Sequence, residues 1–158
     1  MYFWIVGSLM FALPLVSVIA ETVADGSSLL AASAQKWFVF WAVGVRLLSA
    51  GLRQIIQPRY TAEAILGISD PDAMLVVREL GFANTAIGTI GVASIVAHSW
   101  VLPAAIAGII FYGLAGANHI FHKNRNRLEN IAMCSDLFVA IVILACLAKS
   151  FIGHQMPS

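Results

Sequence analysis

RELGFANTAIG, Arg78 to Gly88, places an arginine, a glutamate and an asparagine at the head of a long apolar run. What those three groups mean depends on the solvent the run meets. The chain has 158 residues, of which 60% are hydrophobic and 11% charged, with a mean hydropathy of +0.88. Soluble domains run near a quarter charged, so this composition belongs in a bilayer. Hydrocarbon tolerates such polar groups poorly. RELGFANTAIG is therefore either a polar hem on a membrane helix or part of a buried site.

Spanning takes about 20 mostly apolar residues. Working outward from Arg78, five segments meet that length: residues 2–20, with a bend at Pro14, then 37–57, 75–98, 101–121 and 128–147. Pro103 falls in the first turn of the fourth, where proline is tolerated. The expected fold class is an all-α integral membrane bundle of five transmembrane helices in one domain, residues 1–158. Val18 and Ala20 would suit signal cleavage, but no Lys or Arg precedes the first apolar run, so a retained helix is expected.

The loops orient the bundle. With the N-terminus inside, Arg53, Arg59, Arg78, Lys123, Arg125 and Arg127 lie at or near the inner face, whereas Lys36 and Lys149 lie at the outer one. Lys and Arg accumulate on the cytoplasmic side, which predicts N-in and C-out. Trp4 falls at the inner edge, and Trp37, Trp41 and Trp100 at or near the outer edge, as interfacial anchors do. Residues 21–35 read as a small-residue outer loop. Thr61 is expected to cap a short amphipathic helix ended by Gly67, with Ile65 and Leu66 towards lipid. Asp70 is expected to cap the third helix, with Pro71 at its first position. HKNRNRLEN, His122 to Asn130, reads as a basic topology-setting turn or a contact for anionic lipid.

Depth separates the polar residues. Counting about 20 residues back from His98 reaches Glu79, so Arg78 and Glu79 mark the inner border, where they can snorkel. Asn84 lies roughly 7 Å deeper and Asp136 about 10 Å in from the inner edge, at 1.5 Å per residue. Arg46 is close to mid-bilayer. A charge there costs several kcal/mol unless paired or wet, so Arg46 and Asp136, opposite in sign, are expected to meet. Helical spacing aligns Arg46 with Arg53, Gly81 with Thr85 and Gly88, Gly108 with Tyr112 and His119, and Glu129 with Asp136. One bundle interior, open towards the cytosol, would then gather a ligand-binding set: Arg46, Arg53, Glu79, Asn84, Tyr112, Asn118, His119 and Asp136. The glycines at 81, 88, 91, 108, 113 and 116 read as packing surfaces inside helices.

Other chemistries find less in the sequence. Net charge is +1, and no basic cluster is interleaved with aromatics, so nothing points to nucleic acid. No GxSxG or HExxH occurs, and no catalytic residue is assigned. His119, His122 and Glu129 form a conceivable metal set, but the positive residues that follow disfavour a cation. Haem on His119 would need a second axial group or an open position, and His98 lies at the opposite face. Cys134 and Cys146 fall on one helix roughly 18 Å apart, beyond disulfide reach, and read as small core residues. No inverted repeat marks a transporter.

WFVFWAVGVRLLSAGLRQIIQP, VRELGFANTAIGTIG and FYGLAGANHIFHKNRNRLENIAMCSDLF resemble a family of small bacterial inner-membrane proteins of unknown function, over residues 37–140. More distantly the pattern is similar to DoxX-like proteins, in its early-helix arginine, RELG-type helix start and late glycine-then-histidine. That resemblance implies a four-helix membrane bundle linked with quinol or thiol redox systems. The additional N-terminal helix and the lack of a usable cysteine pair depart from it. The leading expectation is an inner-membrane protein with a cytosol-side polar pocket for a small molecule or lipid headgroup, or one supporting a membrane complex or homo-oligomer. A redox accessory protein binding quinone or haem, and a small-solute or proton pathway, are the alternatives.

Overall fold

The computed structural model describes residues 2–25 and 30–155. Those residues form helices and connecting turns, with no strand. Helix α1 covers residues 2–25, α2 Leu30–Ile56, α3 Ala73–Ala93, α4 Val101–Phe121 and α5 Arg127–Gln155. A short wide-turn segment, Tyr60–Ile65, joins α2 to α3, and a 3-10 turn, His98–Trp100, leads into α4. Four stretches are long and apolar enough to cross a membrane: Tyr2–Ala24, Leu30–Ile56, His98–Phe121 and Arg127–Ser150. Helix α3 stands outside that set because Arg78, Glu79 and Asn84 dilute its apolar content.

The predicted 21–35 loop is mostly helix, since α1 runs on to Asp25 and α2 begins at Leu30. Glu21 accounts for this. It accepts from Lys36 and Ser33, and from Trp37 Nε1 at 2.8 Å, clamping the C-terminal end of α1 to the N-terminal end of α2. Trp41 Nε1 adds a bond to Ser17 Oγ at 2.9 Å. Helix α3 stops at Ala93, short of His98, and Ser94 Oγ turns back onto the Gly91 carbonyl at 2.7 Å. Helix α5 continues past 147 to Gln155.

Two helices carry π-type turns. In α1 the turn spans Ser8–Ala12, with the Leu13 N–H bonded to the Ser8 carbonyl, directly before buried Pro14. Proline lacks an N–H and its ring clashes with the carbonyl four residues back; a widened turn relieves both. In α2 the turn spans Val39–Val45, and the Arg46 N–H reaches the carbonyls of Trp41 and Val43, passing over Ala42. Tyr112 Oη, from α4, donates to the Ala42 carbonyl. A tyrosine on one helix thus satisfies the carbonyl that the wide turn frees on another, as buried backbone groups require.

Glycines bring α2 and α3 into backbone contact. A Cβ on Gly44 would lie 2.6 Å from the Val92 nitrogen, and one on Gly88 would lie 2.3 Å from the Leu48 nitrogen. Gly51 faces Thr85, and Gly81 faces Gln54. Gly108 instead makes room for the Val43 side chain and Gly116 for the Leu137 side chain. Gly113 is the exception to the packing expectation, because a Cβ added there would meet nothing within 4 Å. The core lies where α1, α2, α4 and α5 meet, around Met10, Val39, Val43, Ala104, Val139 and Ile143. Phe11 stacks on Phe138 with ring centres 4.4 Å apart. Large apolar side chains such as Phe121 and Leu114 face outward, as lipid-facing positions do. Cys134 is exposed and Cys146 half-buried, so neither is the core residue expected from composition.

Candidate functional site

Arg46 and Arg53 are seven residues apart, nearly two helical turns, so they project from one face of α2 within about 20°. That face lines a cavity of about 140 Å³ shared with Tyr2 and Ile5 of α1, Gln54, and Tyr60, Thr61 and Ile65 of the wide-turn segment. Gly67, at φ 69°, reverses the chain after that segment, and the Ile68 N–H bonds the Ala62 carbonyl at 2.8 Å. Only a residue without a Cβ adopts that φ at low cost. Thr61 does not cap the segment as expected; it is buried inside it and faces the cavity. Asp70 bonds the Asp72 N–H at 2.9 Å, but α3 starts at Ala73 with Asp72 at its N-cap, so Asp70 and Pro71 lie in the turn ahead of the helix and do not cap and open it as expected.

The cavity is positive. Arg46 Nη2 donates to Tyr2 Oη at 3.4 Å, a long bond, and the Arg46 Nε is buried with no hydrogen-bond partner. The Arg53 guanidinium lies 3.6 Å from the Tyr60 ring centre. Stacking of that kind holds a guanidinium by its face and leaves its in-plane N–H groups free. No Asp or Glu lines the cavity, and among the described residues neither arginine belongs to an ion pair. Gln54 closes one wall. Asn84 of α3 donates to Gln54 Oε1 at 2.8 Å, and both side chains are buried.

The remaining expected residues do not share one pocket. Asp136 is buried on α5 and forms no ion pair with Arg46, which does not come within 4.0 Å of it; this corrects the expected pairing. Depth counting put the two at similar levels, but the arginine is drawn to Tyr2 on α1. Glu79 is exposed on α3, away from the cavity. Tyr112 is spent on the Ala42 carbonyl. Asn118 and His119 border a separate cavity of about 430 Å³ with Leu66, Ile68, His122 and Glu129.

Glu129 organises that second region. Its Oε1 lies 2.8 Å from His122 Nδ1 and 3.7 Å from His119 Nδ1. Its Oε2 accepts from the Asn126 N–H at 3.0 Å, while Asn126 Oδ1 accepts from the N–H groups of Leu128 and Glu129. This is a capping box at the head of α5, with both partners satisfying free helix-end donors. Asn126 Nδ2 also ties the Ile65 carbonyl at 2.8 Å. Arg125 Nη1 caps the other side, reaching the His119 and His122 carbonyls at 2.7 Å. The turn read as a topology signal is thus a network that joins α4, α5 and the wide-turn segment. Both histidines address one carboxylate oxygen, and no metal-holding group of three or more His, Cys, Asp or Glu is formed among the described residues.

Sequence reasoning missed Tyr2, Gln54 and Tyr60 as site members, and weighed Glu129 only in a disfavoured metal set, not as the centre of a helix-end network. For Glu129 a signal was present, the Asn-x-x-Glu spacing of a capping box. For the others none was, because each contact joins two different segments.

Four apolar helices of spanning length, with a fifth lodged against them, make this a helical bundle of the kind that crosses a membrane several times. The chain belongs to a family of unknown function, DUF6790, which matches residues 2–152. No curated protein and no solved structure matches it.

Proposed function

We propose that the chain is a multi-pass protein of the bacterial inner membrane, crossing five times with its N-terminus inside. Its Arg46–Arg53 cavity then opens on the cytosolic half and binds an anionic small molecule or lipid headgroup. A single observation carries this reading. Two arginines face one small cavity that no carboxylate lines, with one guanidinium nitrogen buried and unpartnered and neither arginine in an ion pair among the described residues. Charge drawn into a bundle without a contact ion pair is costly, and an anion arriving in the cavity would offset that cost. The glycine contacts from Gly44–Gly91 down to Gly51–Gly81 support a fifth crossing, since they hold α3 alongside the apolar length of α2. The excess of Lys and Arg at the proposed inner ends supports the orientation.

The test is anion-dependent stability. Purified protein in zwitterionic nanodiscs should melt at higher temperature as small anions are added, because a ligand bound only by the native state stabilises it, by about 2.7 kcal/mol at a hundred times Kd. Arg46→Gln and Arg53→Gln should each remove that response. A melting temperature indifferent to every anion, in the parent and both variants alike, overturns the reading.

A further inference from the structure

The donors around the cavity specify the kind of anion, given that the site takes one. Arg46 lines it with a guanidinium whose one hydrogen bond is the long one to Tyr2, and Arg53, laid against Tyr60, offers the edge of its guanidinium. Gln54 contributes through its neighbour. Asn84 Nδ2 occupies Gln54 Oε1, so the part of the amide left without a bond is the Nε2 amino group, a donor. Gln54 lines the cavity, and with its Oε1 engaged by Asn84 its Nε2 amino group is the part free to donate there.

A carboxylate has one charge and two oxygens, which a single guanidinium satisfies in a bidentate pair. Two guanidinium groups and an amide exceed that demand. A halide has no directional acceptors to match them. A doubly charged tetrahedral group, with at least three oxygens, uses all three donors and balances both cations.

We propose that the cavity holds a tetrahedral oxyanion of the phosphomonoester type, bound by Arg46, Arg53 and the Gln54 amide, with Asn84 as the positioning residue. This rests on the anion-binding reading above. A lipid headgroup and a soluble phosphate ester share the chemistry, and the cavity, flanked by α1 and the membrane-border segment, is reachable by either.

Calorimetric titration of the nanodisc protein with inorganic phosphate, sulfate, glycerol phosphate, acetate and chloride separates the possibilities. Phosphate, sulfate and glycerol phosphate should bind at least tenfold more tightly than acetate or chloride. Gln54→Leu should lower phosphate affinity about tenfold, the worth of one hydrogen bond to a charged group, and leave acetate unchanged. Because Gln54→Leu also strips Asn84 of its partner, Gln54→Glu is the companion variant. It keeps an acceptor for Asn84 but puts a carboxylate at the cavity, and should abolish phosphate binding while the protein still melts cooperatively. Asn84→Ala should weaken phosphate about threefold without altering acetate. Nanodiscs containing phosphatidic acid assign the source: competition with inorganic phosphate identifies a lipid headgroup, and unchanged affinity identifies a soluble ligand. Equal affinity for acetate and phosphate, or phosphate binding unaltered in Gln54→Glu, overturns the phosphomonoester assignment and leaves the anion pocket standing. Binding of no anion at all removes both.

Discussion

Tyr112 shows how a single side chain can hold a backbone irregularity in place. Its hydroxyl meets the Ala42 carbonyl, which the wide turn in α2 leaves without a helical N–H. Tyr112→Phe should cost about 1–3 kcal/mol, the penalty for an unsatisfied buried acceptor, and should appear as a lower denaturation midpoint with little change in helical content. Because that turn ends where Arg46 begins, the variant should also weaken phosphate binding; unaltered affinity would separate the turn from the cavity. The arginines were legible at this scale, since a seven-residue spacing on a helix needs no knowledge of neighbours. Gln54 and Tyr60 were not. Their roles come from Asn84 thirty positions away and from a turn that packs back on α2, and no periodicity within one segment records either.

At the scale of elements, the α2–α3 seam rests on the absence of side chains. Gly88→Ala would drive a Cβ to 2.3 Å from the Leu48 nitrogen, which is backbone and cannot move aside cheaply. Overpacking of that kind typically costs about 1–3 kcal/mol and separates the helices. Gly113→Ala, with open space around it, should be neutral or slightly stabilising through helix propensity. Thermal unfolding of the two variants side by side checks the contrast, and equal effects would mean that the seam is not a close contact. At the head of α5, Asn126→Ala removes both a cap and the tie to Ile65, and should cost about 1–2 kcal/mol. Proteolysis between α2 and α3 should speed up in that variant, because the segment closing the arginine cavity loses its anchor.

At the scale of the whole molecule, the arrangement of helices makes a claim about direction. With an N-in, five-crossing topology, Lys123→Cys should react with a membrane-impermeant maleimide only after the cells are opened, whereas Ser99→Cys should react in intact cells. Both are made in a chain whose own Cys134 and Cys146 are replaced by serine, so that the label reports the new thiol. The reverse pattern would invert the cavity to the outside. The helical bundle, its apolar spans and the stripe of glycines at 81 and 88 were determined by the sequence alone, because composition and 3.6-residue periodicity act within one segment and need no partner. Tertiary structure decided the rest. It set Arg46 against Tyr2 instead of Asp136, placed Glu79 outside, and split one expected pocket into an arginine cavity and a Glu129-centred network. Depth along a helix follows from counting residues. Which side chains face one another across helices depends on crossing angles and on how closely the backbones approach, and those follow only from packing the helices together.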